Sequence, residues 1–396
     1  MKKGTVVLLG VTGGIAAYKA AQLCSDLVKA GACVHVLMTA NATQFVSPLT
    51  FETLSGNKVS VDTFDRLFQW KTEHISLAKA AQLFLVAPAT ANVIAKMAAG
   101  LADDMLTTTF LAASCPKVVA PAMNTGMLDN PATQVNLRVL EERGIRIVQP
   151  ETGHLACGDE GRGRLASLPV LLEEAERALA PQDLAGRQVV ITAGPTQEAI
   201  DPVRYITNHS TGKMGYQTAL AALRRGARVT LISGPTSLEP PMGARLVKVT
   251  SAAQMFQAVQ EALPTADIVI KSAAVADYRP LQAADHKIKK KEGDLSIPLA
   301  RTDDILAWLG EHRRPGQAVI GFSMETDDLI QNSSKKLEKK KVDMIVANSL
   351  TQEGAGFGGD TNVACFLTKD GVEQLPKLSK LELGDRILTR ALAFLG

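Results

Sequence analysis

The five cysteines, Cys24, Cys33, Cys115, Cys157 and Cys365, include no C-x-x-C pair, so neither a zinc site nor a disulfide framework is indicated and a reducing compartment is expected. Charge of either sign is not in excess. The 43 basic and 40 acidic residues leave a net +3, which removes the support that a nucleic-acid or membrane-surface role would need. A long unbroken apolar run is also missing: the most apolar window, Ala80 to Ala102, contains Pro88, Asn92, Lys96 and Gly100 and cannot be a membrane span. Met1-Lys2-Lys3 leads directly into an apolar strand, with no cleavage site before the first glycine turn, so a cytoplasmic protein is expected.

What is present is a pattern of short apolar strands alternating with helical runs. Hydrophobic residues make up 46% of the 396 positions, enough to bury parallel sheets in two domains of ordinary size. Val6 to Leu9 runs into Gly10, Gly13 and Gly14. A helix follows, with Ala16, Ala20, Leu23 and Leu27 at helical spacing, and then a strand from Val34 to Met38. Further strands are expected at Leu83 to Ala87, Val118 to Ala120 and Ile145 to Val148, with helices at Ala91 to Gly100, Gln134 to Arg143 and Leu168 to Leu179. Pro181 to Arg187 reads as a linker, after which the plan starts again. Val189 to Thr192, a helix from Tyr216 to Arg225, Val229 to Ser233, Ile268 to Ala273, Ala318 to Phe322 and Met344 to Ala347 form the second series. The expected architecture is α/β, with two Rossmann-like three-layer domains over 1–185 and 186–396. Gly354 to Asn362 reads as a mobile loop.

Two familiar phosphate motifs are absent. Gly10, Gly13 and Gly14 lack the G-x-G-x-x-G spacing, and the next strand ends Met38-Thr39 without the acidic residue that holds a ribose, which disfavours a dinucleotide oxidoreductase. Gly212-Lys213 is followed by Met214 where a Walker A motif needs Ser or Thr. Spacing alone leaves both turns open to two readings, a tight turn with no ligand or a cradle for a smaller phosphate.

Longer strings resolve this. Gly10 to Lys19 (GVTGGIAAYK), Glu73-His74-Ile75, Ala87 to Asn92 (APATAN), Pro121 to Met127 (PAMNTGM) and Ala156 to Asp159 (ACGD) resemble, in order and spacing, the flavin-dependent phosphopantothenoylcysteine decarboxylases. Asp201 to Tyr205 (DPVRY), Asn208 to Gly215 (NHSTGKMG), Ala273 to Tyr278 (AAVADY), Lys287 to Lys290 (KIKK) and Ala347-Asn348 resemble the CTP-dependent phosphopantothenate-cysteine ligases. The resemblance runs essentially end to end and implies a bacterial fusion: a flavodoxin-like FMN domain before a ligase domain.

The implied chemistry runs opposite to the domain order. The ligase half joins cysteine to 4'-phosphopantothenate through an acyl-cytidylate formed from CTP, and the decarboxylase half then gives 4'-phosphopantetheine. Loss of CO₂ from an acylated cysteine leaves a carbanion that nothing delocalises, so a cofactor, FMN, must supply the electron sink. By resemblance, His74 assists thiol deprotonation, Cys157 is the proton donor and Asn124 holds the substrate carboxylate or amide. Met127 borders the substrate, and Gly13, Gly14 and Thr39 surround the flavin phosphate. The residues around Cys157, including Gly158, Asp159, Gly161 and Gly163, suggest a mobile flap. On the ligase side, Asn208 acts on the acyl-cytidylate, Lys287 is catalytic and Arg204 binds phosphopantothenate. Ala273, Asp277, Asp303, Phe322, Lys336 and Lys340 surround CTP, with Asp277 also assigned to Mg²⁺. A homo-oligomer is implied, with trimeric decarboxylase contacts and dimeric ligase contacts, possible as a dodecamer.

Three positions depart from the family's usual pattern: Gln82, Thr302-Asp303-Asp304, and Ser323-Met324. A rival assignment is a flavin-binding regulatory or interaction protein that has lost a catalytic residue. The presence of both His74 and Cys157 counts against it.

Overall fold

The computed structural model describes residues 1–64, 73–156, 158–290, 295–325, 328–349 and 359–395. The chain forms two compact units, Met1–Pro181 and Gln182–Gly396. Residues 1–3 lead into the first sheet, and no helix among the described residues is long and apolar enough to cross a membrane.

In the first unit β1 (Val6–Val11), β2 (Cys33–Met38), β3 (Leu83–Ala89), β4 (Lys117–Pro121) and β5 (Arg146–Ile147) form a parallel sheet in the order β2-β1-β3-β4-β5. That is the flavodoxin-like winding, whose ligand crevice lies beyond the carboxyl ends of β1 and β3, where the strand order reverses. Successive residues of β1 face opposite layers. Val7 and Leu9 pack with Ala20, Leu23 and Leu27 of α1 (Ala17–Lys29), Phe51 of α2 (Pro48–Ser55) and distant Leu171, whereas Leu8 packs with Phe84 and Val86 on the other face. That second face is covered by α3 (Glu73–Ala80), α4 (Ala91–Ala99), α5 (Met105–Ala112), α6 (Thr125–Asp129) and α7 (Pro131–Glu142), and α8 (Leu168–Leu179) returns to the first. Burial on both faces explains why β3 reads LFLVAPA without alternation: all seven of its residues are buried. A hairpin of β6 (Glu151–His154) and β7 (Glu160–Arg164) lies outside this sheet. Periodicity did not signal it, because its residues alternate between exposed and half-buried rather than between apolar and polar.

The second unit begins with β8 (Gln188–Ala193), the short pair β9 (Gln197–Ala199) and β10 (Tyr205–Thr207), then β11 (Arg228–Ser233), β12 (Arg245–Lys248) and β13 (Ile268–Lys271). After the pair β14 (Tyr278–Pro280) and β15 (Leu299–Arg301) come β16 (Ala318–Glu325), β17 (Met344–Ser349), β18 (Thr361–Asn362), β19 (Ala364–Thr368) and β20 (Gly371–Gln374). The large sheet runs β12-β11-β8-β13-β16-β17-β19-β20. Its parallel part reverses direction about β8, as in dinucleotide-binding folds, and β19 and β20 add an antiparallel edge. One face packs on α9 (Lys213–Arg224), and the other on Met255 and Val259 of α10 (Ala252–Ala262), Leu306 and Leu309 of α11 (Ile305–His312) and Leu337 of α12 (Leu329–Lys340). The final helix, α13 (Lys380–Leu392), joins α9 through Leu383, Ile387 and Leu388.

Three local readings differ from expectation. Helix α9 begins at Lys213, three residues before Tyr216, because Gly212 takes the left-handed turn (φ 77°) that lets the chain enter the helix early. Strand β13 ends at Lys271 rather than Ala273: Ser272 Oγ donates to Thr192 O at 2.7 Å and Ala273 N to Thr192 Oγ1 at 3.2 Å, which draws the chain out of the ladder. The segment read as a linker is packed, with Leu184 fully buried and Asp183 paired to Arg225. Arg225, only 2% exposed, donates to Asp183 at 2.7 and 2.9 Å, to Asp385 O and Oδ1 at 2.9 and 3.1 Å, and to Thr389 Oγ1 at 2.9 Å. It therefore clamps the entry segment and α13 to the end of α9. The loop expected over 354–362 falls mostly outside the described residues.

Candidate active sites

The crevice predicted by the first sheet's winding is present as a cleft of about 610 Å³. Its floor is Gly13 and Gly14 after β1, Thr90 after β3, and Asn124 and Met127 after β4. A Cβ on Gly13 would lie 2.4 Å from Asn41 Cβ, so only glycine lets the turn sit against the loop after β2. Thr12 Oγ1 donates to Pro88 O at 2.8 Å and accepts from Thr90 N at 3.0 Å, tying the ends of β1 and β3 together. Thr90 in turn caps α4 through Val93 N. Asn124 caps α6. Its Oδ1 accepts from Gly126 N at 2.8 Å and its Nδ2 donates to Asp159 Oδ2 at 3.2 Å, which fixes the plane of the amide at the cleft wall.

The β6–β7 hairpin supplies the remaining wall through His154, Leu155 and Ala156. Its base is locked to α6: Met123 N donates to Gly163 O at 3.0 Å, and Thr125 Oγ1 donates to Arg162 O at 2.7 Å. A Cβ on Gly163 would meet Met123 O at 2.1 Å, and one on Gly161 would meet Thr125 Oγ1 at 2.4 Å. The glycines expected to make a flap are thus what allows the hairpin to dock. Cys157 lies outside the described residues.

Of the sequence-derived decarboxylase residues, Gly13, Gly14, Asn124 and Met127 share this cleft. Thr39 does not line it. Thr39 is buried at the end of β2, where its Oγ1 accepts from Ala42 N at 3.3 Å and so shapes the loop carrying Asn41. His74, in the first turn of α3, also stands outside the lining. Gln82, one of the departures, accepts the Val6 N–H through Oε1 at 3.0 Å and so serves β1 from the neighbouring edge.

The second unit opens two adjoining chambers, of about 470 and 570 Å³, at the carboxyl ends of its parallel strands. The first takes in Asn208, Ser210 to Gly215, Asn348 and the lysines Lys213 and Lys380; the second takes in Asp303, Asp304 and Lys340. Lys271, Val275, Asp277, Phe322 and Lys336 wall both. Asn208 Nδ2 donates to Val275 O at 3.0 Å and more weakly to Ala274 O at 3.5 Å. The N-terminus of α9 points its dipole at this chamber. Gly215 lets that helix approach, since a Cβ there would lie 2.5 Å from Ala193 Cβ.

The charges of the chambers are set by burial and pairing. Burial works to raise the Asp304 carboxyl, but its bond to Lys340 and the Ala307 N–H hold it below the usual carboxylate range. Burial foremost, with Lys336, pushes the Lys271 amine down to about 8 against the pull of Asp304 and Asp277. Lys336 Nζ donates to Phe322 O at 3.2 Å. Thr302, another departure, donates through Oγ1 to Ala276 O at 2.6 Å and through N to Asp277 O at 3.0 Å, and so fastens the loop bearing Asp277. Among the described residues no three His, Cys, Asp or Glu side chains gather as a metal site.

Asn208, Ala273, Asp277, Phe322 and Lys336 therefore share the first chamber, and Asp303 and Lys340 line the second. Arg204 and Lys287 line neither. They belong to a separate cluster around buried Asp201, whose oxygens accept from Val203 N, Arg204 N and Ile288 N at 2.8, 2.9 and 3.1 Å, while Arg204 Nη2 donates to Ile288 O at 3.1 Å. Arg204 thus grips the strand of chain that carries exposed Lys287. Sequence reasoning gave no role to Lys213, Lys271, Lys380 or the buried Asn348, whose Oδ1 has no partner among the described residues. Lys213 and Asn348 stood inside quoted motifs without a role, and the signal for Lys271 was a lysine closing an otherwise apolar strand.

Comparison with known proteins accounts for both units. Residues 1–179 match the Flavoprotein family and residues 184–394 match the DNA/pantothenate metabolism flavoprotein C-terminal domain. The chain is 52% identical over 387 residues to the coenzyme A biosynthesis bifunctional protein CoaBC of Bacillus subtilis (strain 168), covering 96% of this chain and 95% of that protein. It is 44% identical over 395 residues to the protein of the same name from Vibrio vulnificus (strain YJ016), covering 99% and 98%. A crystal structure of the C-terminal domain of a CoaBC protein is 44% identical, covers 53% of this chain and 96% of that one, and has a TM-score of 0.46. With both halves matched and nearly every residue aligned, this chain belongs to the family of coenzyme A biosynthesis bifunctional proteins.

Proposed function

We propose that the chain carries out two successive steps of coenzyme A biosynthesis: CTP-dependent ligation of 4'-phosphopantothenate with cysteine, then FMN-dependent decarboxylation of the 4'-phosphopantothenoylcysteine so formed. The observation that carries this is the presence, in one polypeptide, of a glycine-floored, largely apolar cleft and a lysine-walled double chamber, each at the switch point of its own sheet. A regulatory protein with a degenerate cleft would not need the second site.

The first cleft fits FMN. Gly13, Gly14 and Thr90 leave room for one phosphate at the strand ends, and Ala122, Met123 and Met127 offer an apolar side to a flat ring. Bound there, the flavin supplies two-electron redox chemistry. Asn124, its amide held by Gly126 and Asp159, binds the substrate carboxylate through a neutral donor, which does not over-stabilise the charge that must leave. Cys157 delivers the final proton. His74 assists thiol deprotonation, and its place outside the cleft fits a homo-oligomer in which copies meet there. Exposed Ile15, Tyr18 and Leu49 in the same unit are consistent with such a meeting.

In the second unit the nucleotide and the acyl group share the two adjoining chambers. Lys336, Lys340, Asp303, Phe322 and Ala273 hold CTP, and Asp277, on the shared wall, holds Mg²⁺ brought in on phosphate oxygens. Asn208 presents its amide to the acyl-cytidylate. Arg204 and Lys287 close over the substrate from the Asp201 cluster, with Arg204 binding phosphopantothenate and Lys287 meeting phosphate.

The test is a coupled assay with 4'-phosphopantothenate, cysteine, CTP and Mg²⁺, following pyrophosphate and CO₂ together. Both should appear, in equal amounts at completion, from protein that absorbs as a flavoprotein. Pyrophosphate without CO₂ would remove the decarboxylase; absence of both would remove the ligase, and absence of CO₂ when 4'-phosphopantothenoylcysteine is then supplied directly would remove the decarboxylase as well.

A further inference from the structure

The two chambers of the second unit meet at Lys271, a residue with no part in the roles above. It ends β13 and walls both chambers. Its Nζ donates to Ala273 O at 3.0 Å, while Asn208 Nδ2 donates to Val275 O and Ala274 O at 3.0 and 3.5 Å. The two side chains are thus fastened to consecutive carbonyls of the short segment that follows β13. An acyl-cytidylate is a nucleotide joined to an acyl group through one phosphate. The residues assigned to CTP line both chambers, so the acyl-cytidylate crosses their shared wall, which Lys271 helps to form.

We propose that Lys271 is the general base of the amide-forming half-reaction, taking the proton that the cysteine amine loses as it displaces CMP. The role rests on the ligation reaction proposed above. In the step, the amine nitrogen forms a bond to the acyl carbon and the bond from that carbon to the phosphate oxygen breaks. CMP leaves with the electron pair, and the surplus proton on nitrogen passes to Nζ of Lys271.

The surroundings suit that task. Lys336 and Lys340 of α12 and Asp277 and Asp304 of the adjoining loops face the amine, and Asp304 is itself engaged by Lys340. Burial, with the two lysines, outweighs the two carboxylates and brings the amine to about 8, so that a neutral fraction exists near neutrality. A neutral amine can donate one N–H to Ala273 O and keep its lone pair for the substrate. During activation the triphosphate holds Lys271 protonated, and departure of pyrophosphate removes that charge before the base is needed.

Lys271→Arg, which stays protonated, and Lys271→Met, which has no basic group, separate this from a phosphate-binding role. Full-length variants are given CTP and 4'-phosphopantothenate first, and pyrophosphate is measured. Cysteine is then added, and amide and CMP are followed. Positioned proton transfer contributes about 10²–10⁴-fold. Both variants should therefore release a stoichiometric burst of pyrophosphate within about tenfold of the parent rate, yet form amide at least about 100-fold more slowly. In the parent, amide formation should rise as pH passes through about 8; Lys271→Met should flatten the part of that rise not due to cysteine. Amide formation by Lys271→Arg at the parent rate would overturn the assignment, and so would equal losses in both half-reactions. Parent protein that releases no pyrophosphate from CTP would instead remove the ligase reaction itself.

Discussion

Gly163→Ala is expected to disable decarboxylation while leaving ligation intact. A Cβ at this position would stand 2.1 Å from the backbone oxygen of Met123, with φ at +135°. A carbon reaches its ordinary contact with a carbonyl oxygen at about 3.3 Å, so the hairpin must retreat from α6 by roughly 1 Å. No side-chain rotation can relieve a clash with a main-chain atom. The retreat also stretches the bond from Met123 N to Gly163 O. A displacement of about 1 Å in a group that positions substrate costs on the order of 10²-fold in rate. CO₂ release from 4'-phosphopantothenoylcysteine should fall by about that factor, while pyrophosphate release from CTP by the same protein should not change. Gly144→Ala is the control. Gly144 also has a positive φ, 79°, but a Cβ there meets nothing within 4 Å, so it carries only a backbone cost of about 1–2 kcal/mol. CO₂ release by Gly163→Ala within threefold of the parent, or an equal loss in Gly144→Ala, would refute the steric argument.

Arg225→Met removes every bond from the clamp but lets the half-exposed Asp183 and Asp385 return to water. The loss should be about 2–3 kcal/mol, less than for a fully buried pair, seen as a drop of roughly 5–10 °C in the unfolding of the second unit. Burial raises the Cys24 thiol to about 11, so between about 9 and 11 the folded state holds a proton that the unfolded state loses. Its contribution to stability should therefore decline by up to about 3 kcal/mol as pH rises through that window, and Cys24→Ala should remove that part of the decline in chemical denaturation of the first unit, leaving the part due to the buried Cys115 thiol. Asn208→Asp should still release pyrophosphate yet yield little amide, since a carboxylate repels the acyl phosphate; unchanged amide formation would exclude Asn208 from the site. Cys157→Ser should release CO₂ but fail to give 4'-phosphopantetheine, and normal product by mass spectrometry would count against its role as proton donor.

The two wound sheets were legible because buried parallel strands write continuous apolar runs, as in Leu83 to Ala89 and Ile268 to Ile270. The helix after Gly14 was legible for the same reason, with Ala20, Leu23 and Leu27 all fully buried. The β6–β7 hairpin left no such mark. It is held by glycine backbone and a threonine hydroxyl rather than by an apolar face, so its docking could be seen only in three dimensions. Long motifs located Asn124 and Asn208, but they did not show that Arg204 and Lys287 belong to a cluster apart from the chambers. Lys271 was overlooked because a lysine at a strand end is ordinarily solvated. What marks it out is burial between two chambers whose walls are built from segments far apart in the chain.

The clamp at Arg225 also bears on how the chain is made. Synthesis runs from the N-terminus, and domains generally fold as they emerge. The first unit can seal both of its cores by Leu179, since the clusters on the two faces of its sheet use no later residue. The second unit is different. Its central strand β8 is the first to appear, but the helix that covers α9 and supplies Asp385 and Thr389 is the last. Until α13 leaves the ribosome, Thr218 of α9 lacks the neighbour that Gly384 brings to it and the Arg225 guanidinium holds only Asp183. A nascent chain halted a few residues before 380 would therefore carry a finished flavoprotein half joined to an unfinished ligase whose α9 is uncovered on the side that α13 closes, the form that quality control should find first.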